Sequence, residues 1–431
     1  MTSAPPARSR APVFVSWASS VLLALGYGVC AGLFGWFPSG VFQTAAEGYR
    51  ALGTVGDPAW YYKQLQPPYP PPIGNSGRAT PGVNLVTGIG SEHLFARLLD
   101  LDGRILHEWR LDWFELWPDA THVPDRLRPR ERPGTHIHGA LVLDDGDLVF
   151  HFEHLGMLRI DREHRVVWRL PYQTHHSIHR DDDGNLWVCG QKERLEPLPY
   201  APNLSPPFVE DFVVVVSPDG KVLREWSVPE LLMRNGYQGL LAMPSQHNFQ
   251  LAATGDVTHM NHVETFPRRL PGGFFTAGDV LVSLRNVHTV FVFDQRNGTI
   301  KFASTGQFVR QHDPHFVDGN TISVFDNHFV AGPGAAPQSR IALLSAPDHT
   351  VRTWFAGSPK QPFHTPILGR HQWLPNNHLL ITDSCAGRAF ELDAQGQVVW
   401  WYVHYVQEGV VGAIEQVDRI PAALAERRSR N

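Results

Sequence analysis

The chain of 431 residues has only three cysteines, and Asp, Glu, Lys and Arg make up only 18% of it, with a formal net charge of −5. Three thiols cannot staple a chain of this length, so Cys30, Cys189 and Cys385 read as separate cysteines rather than a disulfide framework. There is no block of Lys and Arg, and a nucleic-acid partner is thereby excluded, because phosphate backbones are held by clustered cations. Between Arg10 and Glu47 charge is missing altogether. Within that gap Val13 to Phe37 is apolar or small, which is long enough to cross a bilayer, and Trp36 and Phe37 close it like an interfacial aromatic belt. A cleaved signal has a shorter apolar core and a small-residue site, so the expectation is an uncleaved anchor. Arg8 and Arg10 precede the span and put the N-terminus in the cytoplasm, with the rest of the chain in the periplasm or outside the cell. The expected division is residues 1–44 as cytoplasmic N-terminus and transmembrane anchor, 45–82 as a Pro-rich spacer around Pro67 to Pro72, and 83–431 as the folded domain.

What the chain does have is turn residues, tryptophan and histidine: 38 Gly, 35 Pro, 13 Trp and 23 His. A tail recurs in which an acidic turn residue precedes an aromatic: Asp102 to Trp109, Asp161 to Trp168, Asp219 to Trp226, Asp294 to Phe302, Asp348 to Trp354 and Asp393 to Trp400. Each tail reads as a hairpin, as in Val213 to Trp226, where a β-branched run leads into Ser217-Pro218-Asp219-Gly220 and a second strand. A second hairpin precedes it, as at Asp183-Gly184-Asn185 and Asp318-Gly319-Asn320. Six units of four short strands predict an all-β fold, a six-bladed β-propeller carried on an N-terminal transmembrane helix. The tryptophans of the tails are expected between blades.

The histidines head successive units: His136 and His138, His175 and His176, His259 and His262, His312 and His315. In a propeller the residues leading into the innermost strands converge on one channel mouth. A metal site is one reading, because imidazole suits several transition metals. In extended backbone, however, residues i and i+3 lie on opposite faces, so His259 with His262 and His312 with His315 could not both aim at one ion. The other reading uses neutral imidazole as nucleophile and acid–base, with Arg285 as the cation that holds an oxyanion.

Thr258-His259-Met260-Asn261, Leu281 to Val290 with Ser283-Leu284-Arg285, Gln311-His312-Asp313-Pro314, Asp318-Gly319-Asn320 and Phe325-Asp326-Asn327 resemble the bacterial arylsulfate sulfotransferases, from about Thr135 onward. The resemblance implies transfer of a sulfuryl group from a phenolic sulfate ester to an acceptor phenol through a sulfohistidine, with no nucleotide donor, cofactor or metal. Carried over, His312 is the nucleophile, His259 and Arg285 hold the sulfuryl oxygens, and His176 assists. Asn261 adds a hydrogen bond. His175, His138 and His371 are expected to line the substrate site. The spacing of His176 to Gly184 repeats that of His138 to Gly146, which favours His176 over His175 as the inward ring. The paired cysteines of the family have no counterpart here.

Two other readings stay open: a propeller without catalysis that binds a ligand or protein at its channel mouth, and a histidine-ligated iron oxygenase. His107, His122, His154, His164, His328 and His349 are expected to be ordinary polar loop residues. Arg340 and Arg388 start outer hairpins, and Arg388 is expected in a salt bridge.

Overall fold

The computed structural model describes residues 19–29, 61–91, 93–245, 253–332, 334–358 and 361–426. Short runs of β-branched and aromatic residues between Asp- and Gly-rich turns fold as antiparallel strands. Sheet I holds Ile414–Ile420, Val83–Ile89, Leu94–Leu99 and Ile105–Leu111. Sheet II holds Ile137–Val142, Leu148–Phe152, Gly156–Ile160 and Val166–Leu170. Sheet III runs Thr174–Arg180, Leu186–Arg194, Leu204–Val216 and Val222–Ser227, with Ala253–Gly255 added in parallel to its third strand. Sheet IV is Met260–Thr265, Asp279–Leu284, Thr289–Asp294 and Thr299–Thr305, and sheet V is His312–Phe316, Thr321–Phe329, Gln338–Ser345 and Val351–Ala356. Sheet VI comprises Arg370–Leu374, His378–Asp383, Arg388–Leu392 and Val398–Val403.

The first strands of these sheets touch in a cycle: Ile137–Val142, Thr174–Arg180, Met260–Thr265, His312–Phe316, Arg370–Leu374, Ile414–Ile420 and back to Ile137–Val142. Burial follows position in the sheet. Asp279–Leu284 is buried at every residue, whereas the outermost strand Thr299–Thr305 alternates exposed and buried, as a strand covered on one face does. Between neighbouring sheets lies a separate apolar cluster, such as Val149 and Met157 with Val188 and Val214, or Leu281 and Val292 with Val324 and Leu344.

The tails explain the fit of one sheet to the next. Their acidic residues form side-chain turns: Asp161 and Asp393 each accept two backbone N–H bonds from the residues two and four positions on. The tail aromatics reach the following sheet. Trp109 donates to Asp161 O at 3.0 Å, Trp168 to Pro218 O at 3.0 Å, and Trp400 to Leu101 O at 2.9 Å. Trp226 meets Phe293, Phe302 stacks on His349, and Trp354 meets Trp373.

Most of the expected anchor lies outside the described residues. Residues 19–29 are helical, and among the described residues no helix is long and apolar enough to cross a membrane. Within the stretch read as spacer, Tyr62–Gln64 pairs with Val410–Gly412 and Ile73–Asn75 pairs with Val398–Val403. The intervening prolines lack N–H groups yet keep their carbonyls as acceptors: Pro70 O receives Tyr405 OH, Pro71 O receives Trp401 Nε1 and Pro72 O receives the Val403 amide. Cys189 is buried and Cys385 half-buried, both as free thiols.

Trp400 is fully buried between sheets VI and I. Trp400→Ala should cost about 3 to 5 kcal/mol through lost burial and a cavity, read as a lowered denaturant midpoint. A loss below about 1 kcal/mol would mean that the tail does not join the sheets.

Candidate functional site

Near their starts, five of the six inner strands break register, between Ile137 and Ala140, His175 and Ile178, Met260 and His262, His312 and His315, and Ile414 and Gln416. Arg370–Leu374 alone pairs regularly. A bulge of this kind bends the strand and re-aims a side chain. His176, His259 and Asp313 adopt left-handed φ of 59°, 49° and 49°. Backbone of that sort is strained in residues with a β-carbon and persists where neighbours impose it. Around His259 the neighbour is Asp211, whose carboxylate accepts from Thr258 Oγ1 at 2.5 Å and from the Met260 amide at 2.8 Å.

These bulges remove the premise of extended backbone, and the paired histidines divide along the strands. His176 lies with His259 and His312, its ring 5.0 Å and 6.4 Å from theirs. His262 and His315 instead meet each other further along, at 5.1 Å.

His312 is held by its Nδ1. That atom lies 2.8 Å from Asn327 Oδ1 and 3.0 Å from Arg310 O. Asn327 cannot turn its amide over, because its Nδ2 donates to Thr365 O at 2.9 Å and Leu368 O at 2.8 Å. Both partners of Nδ1 are therefore acceptors, so Nδ1 carries the proton and Nε2 keeps the lone pair. Burial, and then the Arg285 charge, hold His312 well below the ordinary imidazole range, so the ring is neutral.

Arg285 ends the strand beside His259, whose carbonyl accepts its backbone N–H at 3.0 Å. Burial and then Arg310 bring its pKa down to about 10, which leaves it cationic at neutral pH, and its Nε is buried without a hydrogen-bond partner. The Nδ1 of His259 is bonded to Asp256, and its Nε2 is buried and unpartnered. Asn261 Nδ2 donates to Gln311 O at 2.8 Å, and Gln311 in turn donates to Ser283 Oγ, Leu284 O and Thr289 O. The residue before His312 is thus locked to sheet IV.

Of the other expected site residues, His138 stacks near His176 at 4.0 Å. His175 turns toward His154, at 4.8 Å, with its Nδ1 2.8 Å from that of His176. His176 is therefore the member of the pair that faces His259 and His312. His371 is not with this group: its backbone N–H and Nδ1 face Asp313, at 2.7 Å and 3.4 Å, and its Nε2 lies 2.8 Å from Ser323 Oγ.

The sequence reading missed the carboxylates. Glu153 lies 3.2 Å from His138 Nδ1, 3.1 Å from His154 Nε2 and 3.5 Å from His176 Nδ1. Burial works to raise it, but the rings of His176, His138 and His154 hold it well below the usual carboxylate range. His154 belongs to this cluster and is no ordinary loop residue. Asp256, three residues before His259, was a visible signal of a partner for the histidines; Glu153, just past the end of a second strand, carried none. Asn327 was part of the motif but had been given no role. Arg340 pairs with Asp326 and Arg388 with Asp383, so neither is free for a substrate. Three His and Glu donors that could ligate a cation meet at His138, Glu153 and His176, and further groups lie at His262, Glu264 and His315 and at Asp313, His315 and His371.

Residues 139–405 match the family model described as Arylsulfotransferase (ASST), and the chain belongs to that family. Its general activity is accordingly that of an arylsulfotransferase, a transferase acting with aryl sulfates and phenols. No curated protein matches the chain by sequence. Among solved structures it is similar to a protein of unknown function from Bacteroides caccae, at 14% identity and a TM-score of 0.48, covering 78% of this chain and 98% of that one. Virginiamycin B lyase from Staphylococcus aureus is similar at 10% identity and a TM-score of 0.38, covering 82% of this chain and 99% of that one. A Dos1 propeller gives 9% identity and 0.37, over 81% and 77%.

Burial lowers His175, His176, His259, His262, His312 and His371, whereas His136, His154 and His315 are raised by carboxylates despite their burial. For the lowered group the unfolded chain binds more protons below pH about 6.5, so their contribution is complete above that pH and is lost as pH falls through it. The raised rings act oppositely but are fewer. The melting temperature should therefore fall between pH 7.5 and 5.5; a rise over that interval would contradict the neutral assignment.

Proposed function

We propose that the protein transfers a sulfuryl group from a phenolic sulfate ester to an acceptor phenol through a sulfohistidine on His312 Nε2. The observation that supports this reading most is the locked Nδ1 of His312, because two acceptors there leave only Nε2 as a nucleophile. In the first step the Nε2 lone pair attacks sulfur; the N–S bond forms as the bond from sulfur to the aryl oxygen breaks, and the electron pair leaves with the phenolate. In the second step an acceptor phenol oxygen attacks the same sulfur, and the N–S pair returns to Nε2.

A transferring sulfuryl group resembles a phosphoryl group in needing positioned charge at its equatorial oxygens more than covalent help. Arg285, with its unpartnered Nε, is the donor assigned to those oxygens, and His259, its Nδ1 proton held by Asp256, turns an unpartnered Nε2 lone pair to the site. The first phenolate leaves as the anion, and in the second step the Nε2 lone pair of His259 takes the proton of the entering phenol, while Asp256 steadies the ring. His176, His138 and His175 border the site, Asn261 fixes the residue before the nucleophile, and His371 supports Asp313 from sheet VI. No cofactor or nucleotide enters this scheme. In this proposal the folded part from residue 83 is a six-bladed propeller, residues 1–44 anchor it in the membrane and the site faces the periplasm or exterior.

The full chain incubated with a chromogenic aryl sulfate should carry an acid-labile adduct of the mass of SO3 on His312. His312→Asn should remove both adduct and turnover, and a wild type that turns over without any adduct sinks the two-step route. Arg285→Ala should lower kcat by about 10² to 10³, the usual effect of losing one oxyanion donor. An unchanged kcat would take Arg285 out of the site.

A further inference from the structure

Further along the inner strands from His312, Glu264, His262, Asp313, His315 and His371 form a second cluster that takes no part in the bond-making steps proposed above. All but His315 are buried, and His315 is half-buried. His262 is only 4% exposed, yet neither of its ring nitrogens has a hydrogen-bond partner. An imidazole buried with both nitrogens idle is costly, and its arrangement calls for a ligand. Nε2 of His262 lies 3.7 Å from Glu264 Oε2, too far for a hydrogen bond, and His315 Nδ1 lies 2.9 Å from the same oxygen. The three donor atoms fall within 4.8 Å of one another.

We propose that His262, Glu264 and His315 bind one divalent metal ion of the zinc type, cross-linking sheets IV and V. Two imidazoles and a carboxylate with a fourth position open are a donor set that zinc accepts. Donors about 2.0 to 2.2 Å from such an ion stand roughly 3.4 Å apart in tetrahedral geometry, and the observed 2.9 and 3.7 Å lie on either side of that value. The outer shell is also in place. His315 directs its other nitrogen, Nε2, at Asp313 Oδ2, at 3.0 Å, and His262 directs Nδ1 at Asp313 Oδ1, at 3.6 Å. A ligating histidine whose second nitrogen is held by a carboxylate is the usual way that ring orientation and basicity are fixed. Asp313 is itself anchored by the His371 backbone N–H at 2.7 Å, so sheet VI steadies the support. The divalent charge also answers two carboxylates buried side by side, which a lone imidazolium between them would balance only in part.

The test uses the full chain, stripped with a chelator and then titrated with Zn2+ or Co2+. One equivalent of Zn2+ per chain is expected, together with a higher melting temperature, and Co2+ should give visible d–d absorption of the intensity seen for four-coordinate sites. Glu264→Gln and His262→Ala should each lower the affinity at least tenfold, the range associated with ligand and outer-shell losses, whereas His312→Asn should bind as the wild type does. Failure of the stripped wild type to take up either ion at micromolar concentration overturns the proposal and leaves His315 as a protonated bridge between two carboxylates. Undiminished binding in both ligand variants overturns it equally, because the ion would then sit elsewhere. The readouts are metal content and spectrum, so they stand apart from sulfuryl transfer: metal bound by a chain that forms no His312 adduct would remove the proposed reaction and keep the metal site.

Discussion

The convergence of the histidines depends on the pairing of two distant parts of the chain, Ile414–Ile420 with Val83–Ile89. That ladder completes sheet I and brings the last inner strand against Ile137–Val142 and Arg370–Leu374. Without it sheets II and VI would each lose a neighbour, and the apolar clusters that hold Val86 and Phe95 against Leu380 and Trp400 would face water. Convergence of the histidines follows from closure, because each inner strand can present a residue to a common place only while its neighbours fix its angle.

Closure alone would deliver regular strands, and regular strands would alternate their side chains between two sheet faces. The bulges turn that regular lattice into a site. At each, a residue is released from the ladder, and the left-handed turns at His176, His259 and Asp313 swing rings and carboxylate inward. The local cost is met by fixed partners, such as the Asp211 carboxylate on both sides of His259. The same device separates His259 from His262 and His312 from His315, leaving one group of rings around His312 and another around His315.

Much of the fold was legible because it repeats. The acidic tail residues recur since a carboxylate can close a turn on two backbone N–H groups, and the tail aromatics recur since each must reach the next sheet. The positions of His176, His259 and His312 were legible for a similar reason, as residues at equivalent strand starts, and Arg285 as the residue that follows the neighbouring strand. Glu153 was not, because it closes the far end of a second strand, where no repeat marks it. His154 was judged by its residue type as a loop side chain, and only the close ring of His175 changes that. His371 was expected to line the substrate site, but its strand has no bulge, and its ring stays with Ser323 and Asp313. Residues i and i+3 face opposite ways only on straight backbone, and no residue pattern in the chain marks the bulges at these strand starts.

The amide that orients His312 takes its own orientation from two main-chain carbonyls, those of Thr365 and Leu368, in the connection leading into sheet VI. On the proposed route, the nucleophilicity of the imidazole is therefore set by main chain outside the histidine cluster. Were His312 the nucleophile proposed, a change of length or course in that connection would turn its tautomer while every histidine remained in place, so a relative that looks intact at the histidines could be told apart only by its carbonyl geometry.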